Sequence, residues 1–274
     1  QTALDACAEQ VVEKNAADVR TELCKLVKSG VGMQTKVAAA RFAIDVCVRN
    51  AKVLSKAQPG KLLAALLTAT NDPSPTVRNE AARAMARVAA LCTSKAHSRL
   101  VSALANKFNE SEQKSRLVAA QCFLELARAA PSALRNNIYP SLPALLLGSH
   151  DVDDDVREKI VDTTTELGIT LNSLYDLQFD DQTEYDTPMQ VIHNAAQSGS
   201  YDRRRAAMIA CVAFVGSLRS TSQIDASVLA EDTAALLKGK IWDGKETVLK
   251  AAVAMSKASL SPPVPPSPPP LLSN

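Results

Sequence analysis

The chain has 274 residues, 46% of them hydrophobic and 22% charged, a composition that buries a core and does not stay disordered. Its 31 basic and 29 acidic residues leave a net charge of +2. No face is forced to be strongly basic, so no nucleic-acid partner is expected. No apolar run approaches the roughly 20 residues that cross a bilayer, so no membrane insertion is expected either. Aromatic residues make up only 4% while alanine and leucine dominate, which favours close-packed helices over sheets.

In chain order, Val19, Leu23, Leu26 and Val27 form the apolar stripe of a first helix. The turn Lys28–Lys36 (KSGVGMQTK) follows, in which Gly30 is expected to end that helix in a left-handed cap. A second helix begins at Lys36. Leu62, Leu63, Leu66 and Leu67 mark the next helix. The segment DPSPTVRNEAARAMARV then gives a turn at Asp72, Pro73 and Pro75 and a helix whose Val77, Ala81, Ala84, Met85 and Val88 share one face. Leu100, Val101 and Leu104 begin a third unit, Leu142, Leu145 and Leu146 a fourth, Ile192 and Ala195 a fifth, and Val228, Leu229, Leu236 and Leu237 a sixth.

A basic residue marks the start of each second helix: Lys36, Arg78, Arg116, Arg157, Arg204 and Lys245, in steps of 42, 38, 41, 47 and 41 residues. Apolar columns repeat with it. One reads Ala39, Ala81, Ala119, Ile160, Ala207 and Val248, the other Val46, Val88, Leu126, Leu167, Phe214 and Met255. A period of roughly 40–47 residues is that of HEAT and armadillo repeats. The sequence therefore predicts an all-α superhelix, a solenoid of about six helix pairs and twelve to fourteen antiparallel helices, over residues 1–258. One pair cannot bury its apolar face alone, and stacking supplies the core. Residues 259–274 (SLSPPVPPSPPPLLSN) are expected to be a proline-rich disordered tail. Its PxxP spacing makes a docking ligand the lesser alternative.

Asp72 precedes Arg78 by six residues, Glu110 precedes Arg116 by six, and Asp151 precedes Arg157 by six. These acid–base pairs, with Arg204 in the same column, are expected to form a structural ladder between neighbouring units, a ligand-binding arginine row being the alternative. The longest step is expected to hold an acidic, solvated insertion with Asp176, Asp180, Asp181, Glu184 and Asp186, following the acidic run Asp151–Val156 (DVDDDV) just before it, a docking site for a basic partner being the alternative. DVDDD lacks the glycine and glutamate of a calcium loop.

No catalytic constellation is present: His97, His150 and His193 fall in three units, with no HExxH, GxSxG or phosphate-binding glycine loop. His193 reads as packed. No cofactor, metal or small-molecule substrate is expected. Cys7, Cys24, Cys47, Cys92, Cys122 and Cys211 include no CxxC pair and read as reduced core thiols. Gln1 is not an initiating methionine and no signal peptide is visible, so the chain reads as a segment of a longer protein of the cytoplasm, with the nucleus also compatible.

Two glycine turns stand apart: Lys28–Lys36, with Gly30 and Gly32, and Lys240–Lys250 (KIWDGKETVLK), with Trp242, Gly244 and Lys245. They resemble the C-terminal region of the large HEAT-repeat proteasome adaptor and scaffold family. That region carries a lysine–serine–glycine–valine–glycine turn like Lys28–Gly32, then a threonine and a lysine like Thr35 and Lys36. Near its end it carries a tryptophan, one residue, then glycine–lysine–glutamate, like Trp242, Gly244, Lys245 and Glu246. The similarity covers most of residues 16–258, and neither the acidic loop nor the proline tail looks like a family feature. The resemblance implies a non-enzymatic scaffold that binds the proteasome and holds its core particle to its regulatory particle. It further implies a part in proteasome assembly, quality control and endoplasmic-reticulum-associated degradation. Gly30, Gly32, Lys36, Trp242, Gly244 and Lys245 are then candidate contact residues. Composition and period alone are equally compatible with another HEAT scaffold, a phosphatase scaffold subunit or a nuclear transport receptor.

Overall fold

A computed structural model describes residues 3–110, 112–179, 184–217 and 227–259. Among them every regular element is a helix. Six pairs carry the architecture: α2 (Ala16–Ser29) with α3 (Met33–Arg49), α5 (Pro59–Ala69) with α6 (Pro75–Ala89), α7 (Ser94–Phe108) with α8 (Gln113–Ala129), α10 (Ile138–Gly148) with α11 (Asp154–Leu167), α13 (Pro188–Ala196) with α14 (Tyr201–Ser217), and α15 (Ser227–Lys238) with α16 (Glu246–Ser259). We call the first helix of each pair A and the second B. The described residues hold sixteen helices, more than the twelve to fourteen expected, because α1 (Ala3–Glu9) precedes the first pair and α4 (Ala51–Lys56), α9 (Pro131–Arg135) and α12 (Leu171–Tyr175) add short turns between pairs. Prolines at the first helical position of α5, α6, α9 and α13 supply a preset φ where no N–H bond is lost.

All twelve residues of the two apolar columns are buried, from Ala39 to Val248 and from Val46 to Met255. The alanine column lets B helices approach closely. α3 packs on α6, α6 on α8, α8 on α11, and α14 on α16. Of the A-helix residues read from sequence, Leu26 and Val228 are instead each 37% exposed.

The stack changes between the fourth and fifth pairs, where α14 packs on α10 and α12. The extra residues of the long step include α12, a helix opened by a Thr170–Ser173 capping box. Its Leu174 and Tyr175 are buried in the core, and the Tyr175 ring lies 5.5 Å from that of Phe214. The insertion therefore contributes a wedge to the core and is not wholly a solvated loop. Val161, on α11, is correspondingly left 43% exposed. Asp180, Asp181 and residues 260–274, with the proline-rich tail, lie outside the described residues.

Candidate protein-interaction edge

Antiparallel pairing puts all six A–B turns on one edge of the array, with the B-to-A links on the other. The marking basic residues all sit on the A–B edge. Their usual partner is the backbone carbonyl six residues earlier, at the end of the A helix or in the turn. Arg78 donates to Asp72 O at 3.0 Å and Pro73 O at 2.7 Å, Arg157 to Asp151 O at 2.5 Å, Arg204 to Ser198 O at 2.6 Å, and Lys245 to Gly239 O at 2.6 Å. These carbonyls have no acceptor role left inside a helix, and a cation near a helix C-terminus also meets the negative end of its dipole.

The six-residue spacing thus binds side chain to backbone within a unit. The carboxylates of Asp72 and Asp151 turn the other way, towards the marking residue of the preceding unit. Lys36 Nζ meets Asp72 Oδ2 at 2.8 Å, and Arg116 Nε meets Asp151 Oδ2 at 2.8 Å. Lys36 and the neighbouring backbone amide hold the Asp72 carboxyl below its usual range against the opposing effect of burial. No bond ties Glu110 to Arg78 or Arg116 among those described, and Glu110 N donates to Lys107 O. Pairing between neighbouring units thus runs through Lys36–Asp72 and Arg116–Asp151, while the six-residue spacing within a unit reports a cap.

Arg116 is the centre of a larger cluster. Its side chain is 2% exposed, it grips both oxygens of Asp151, and Asp202 of the fifth unit lies 3.4 Å away. Next to Asp202, Arg203 donates to the carbonyl and the side-chain oxygen of Asn109 in the third unit. Units three and five therefore touch across unit four on the A–B edge, while α12 fills the space towards the other edge. The DVDDDV run belongs to this cluster. Asp151 is 5% exposed, Asp153 caps α11 by accepting from Val156 N at 3.0 Å, and Asp154 and Asp155 fill the first turn, where the helix dipole favours them.

The two glycine turns differ from their expected form. Gly30 has φ −57° and is not left-handed; a Cβ there would meet Leu26 O at 2.4 Å, so close approach is what requires glycine. The left-handed residues are Gly32 (φ 82°) and Gly244 (φ 95°). At Gly244 a Cβ would also strike Arg205 Cδ at 2.8 Å. Trp242 is half-buried and stacks on Tyr201 with centroids 5.4 Å apart, while Arg204 lies over the other side of the cluster, 5.5 Å from the Tyr201 centroid. Lys36 and Lys245 are engaged as described above. The apolar groups these turns present to solvent are instead Val31 and Ile241, 92% and 93% exposed, with Met33 at 43%. Both follow a helix end directly, in a stretch whose glycines turn the chain outward.

The B-helix face carries a second network that the repeat marks did not reveal. Arg41–Glu80 (2.9 Å), Arg83–Glu80 (3.6 Å), Arg83–Glu125 (3.9 Å) and Arg128–Glu166 (3.2 Å) run from α3 to α11. The arginines are about half exposed, while the Glu80 and Glu125 side chains are only 10% and 12% exposed; Arg128–Glu166, exposed on both sides, contributes little stability. The histidines bind helices together. His97 lies 2.7 Å from Ala89 O, His193 Nδ1 lies 2.7 Å from the buried Asp232, and His150 Nε2 lies 3.2 Å from Tyr175 Oη. Burial pushes the Cys47, Cys122 and Cys211 thiols up to about 12, and all six cysteines are free. Among the described residues no group of acids, histidines and cysteines could hold a metal ion, and no helix is long and apolar enough to cross a membrane.

Burial lowers the His150 pKa from 6.5 to about 4. Below pH 6.5 the unfolded chain takes up a proton that the folded chain refuses until about pH 4. Stability present above pH 6.5 is therefore lost as pH falls through that window, on the order of 2–3 kcal/mol in all. Urea midpoints at pH 7 and pH 4.5 should fall further for the wild type than for His150→Gln. Equal losses would show that other groups carry the acid sensitivity.

Buried helix pairs in register, a continuous core and a row of turns on one edge define a HEAT/armadillo-type solenoid. Solved structures that align with the chain include an engineered protein (14% identity, 88% of this chain and 97% of that chain, TM-score 0.41) and a designed armadillo repeat protein (14%, 85% and 98%, TM-score 0.37). Importin beta also aligns (13%, 91% and 38%, TM-score 0.40). At such values the fold assignment rests on the helix pairing itself. Residues 1–109 match the family model for the HEAT-repeat domain of the proteasome adapter and scaffold protein ECM29. The human proteasome adapter and scaffold protein ECM29 is 23% identical over 261 residues, and the Schizosaccharomyces pombe proteasome component ecm29 is 23% identical over 254. These matches cover 93% and 91% of this chain but only 14% of each relative. The resemblance to the proteasome adaptor and scaffold family, carried first by the two glycine turns, thus extends over most of the chain.

Proposed function

We propose that this chain is a non-enzymatic segment of a proteasome adaptor and that its A–B edge contacts the proteasome. The parent protein would hold the core particle to the regulatory particle and act in proteasome assembly, quality control and degradation at the endoplasmic reticulum, in the cytoplasm and the nucleus. The observation that carries the reading is the coincidence of two facts. The turns that resemble the family, Lys28–Lys36 and Lys240–Lys250, are also where Val31 and Ile241 stand almost fully in solvent. A rigid array can offer the turns of its first and sixth units to one very large partner, which suits an assembly better than a small ligand. Trp242 and Lys245 hold the second turn in shape, and Ile241 is the group a partner would bury.

The test changes what the partner meets without touching the core. Val31→Asp and Ile241→Asp lie at exposed positions and should leave the melting temperature unchanged. Capture of purified proteasomes on the immobilised double variant should fall at least about tenfold, the size of effect expected when a central apolar contact is replaced by a charge. Undiminished capture by a folded double variant would refute the assignment of this edge.

A further inference from the structure

The B-helix face changes character along the array. In α3, α6, α8 and α11 it carries the ion-pair network from Arg41 to Glu166. Arg41 and Arg83 stand five residues after their unit's marking residue, and Glu125 and Glu166 stand nine after. In the last two units the positions nine after are Ala213 and Ala254, and the positions five after are Ile209 and Lys250. One ion pair, Arg205–Glu246 at 3.8 Å, crosses from α14 to the start of α16, and further along the two helices the surface between them opens into a groove of about 530 Å³. Val212, Val215, Leu249 and Val253 line it, and Lys250 and Lys257 lie along it, with no acidic residue among the described lining residues. Leu249 and Val253, one turn apart, are 57% and 52% exposed.

We propose that this groove docks an acidic amphipathic helix of a partner protein. The lining from Leu249 to Val253 and Lys257 spans about 12 Å along α16, two helical turns, which suits apolar anchors at i, i+3 or i+4, and i+7. The ε-ammonium group of Lys250 would face a carboxylate on the flank of that helix, and it would disfavour a basic one. The proposal is independent of which assembly the A–B edge meets, because the groove lies on a different face.

The test uses the whole chain and three fluorescein-labelled peptides of about 16 residues. One is helical with leucines at i, i+3, i+7 and glutamate flanks; the second has lysine flanks; the third is a scramble of the first. Anisotropy should show saturable binding of the acidic peptide alone, weakened by added salt. Leu249→Asp with Val253→Asp, both exposed, should weaken binding roughly tenfold or more with an unchanged melt. Lys250→Glu should shift preference from the acidic towards the basic peptide, an effect that simple loss of folding could not produce. Equal binding of all three peptides, or no binding, would overturn the proposal. It would also fall if acidic-peptide binding appeared only after removal of residues 260–274, which would make that segment the occupant. A concentration-dependent dimer in sedimentation, abolished by Leu249→Asp, would likewise overturn it and assign the groove to a second copy.

Discussion

Replacing Arg116 by alanine is expected to lower the unfolding free energy by about 3–5 kcal/mol, the cost of leaving a buried partner charge uncompensated. The Arg116 side chain is 2% exposed and that of Asp151 is 6% exposed, so water cannot replace the lost guanidinium. Asp202, at 53% exposure, contributes little to this figure because solvent already screens it. One term works in the opposite direction. Burial and the nearby Arg116 charge hold Arg203 below its ordinary pKa, and removing Arg116 relieves that repulsion. It is the smaller term, since burial of Arg203 persists in the variant. The double variant Arg116→Met, Asp151→Leu removes both charges and should recover most of the loss, as buried pairs replaced by apolar groups of similar volume commonly do. Urea unfolding followed by circular dichroism reads both. An Arg116→Ala midpoint within error of wild type would mean that the cluster is hydrated and that Asp151 is satisfied by water.

Tyr175→Ala is expected to cost a similar amount, about 3–5 kcal/mol, through loss of a large buried ring. Tyr175 is 6% exposed and is the main buried anchor by which α12 joins the fourth and fifth units. Its hydroxyl lies 3.3 Å from Ala210 O and 3.2 Å from His150 Nε2, so truncation also leaves polar groups without their partner. Tyr175→Phe keeps the ring and should lose only about 1 kcal/mol. If α12 were a loose surface turn, alanine and phenylalanine would behave alike and both would be near neutral.

The repeat was legible because it is written in the residues that stacking must bury. The twelve column positions are apolar in sequence and buried in the structure, and one marking basic residue per unit gave their register. What the period could not carry is what joins units that are not neighbours. Arg203 and Asn109 are 94 residues apart and meet only because the array closes on its A–B edge around the fourth unit. Nor does spacing say whether a basic side chain takes a carboxylate or the carbonyl behind it. Arg78 and Arg157 take the carbonyls of Asp72 and Asp151, whose carboxylates pair with the preceding unit. DVDDDV reads as solvated acid until its first aspartate is found beneath Arg116.

At the candidate edge the positions were legible but not the roles. Trp242 is the residue a sequence reader selects for a contact surface, since a lone tryptophan in a glycine turn offers the largest apolar area. Stacking on Tyr201, one unit back, turns it to a structural use and leaves Ile241 outside. Gly30 was read as a left-handed cap because glycine usually serves that role after a helix. Here Gly32 takes the left-handed conformation, two residues later, and Gly30 provides room against Leu26 O.

The contact proposed between the A–B edge and the proteasome can be read at the level of single residues. The most direct measurement is amine cross-linking of the intact chain bound to purified proteasomes, with linked peptides read by mass spectrometry. Lys28 and Lys240 flank the two exposed turns on the A–B edge, whereas Lys14 and Lys52 lie on the opposite, B-to-A side, and all four are exposed. The account predicts links from Lys28 and Lys240 to proteasome subunits, lost in the Val31→Asp, Ile241→Asp variant. Links confined to Lys14 and Lys52, or an unaltered pattern in that variant, would contradict it.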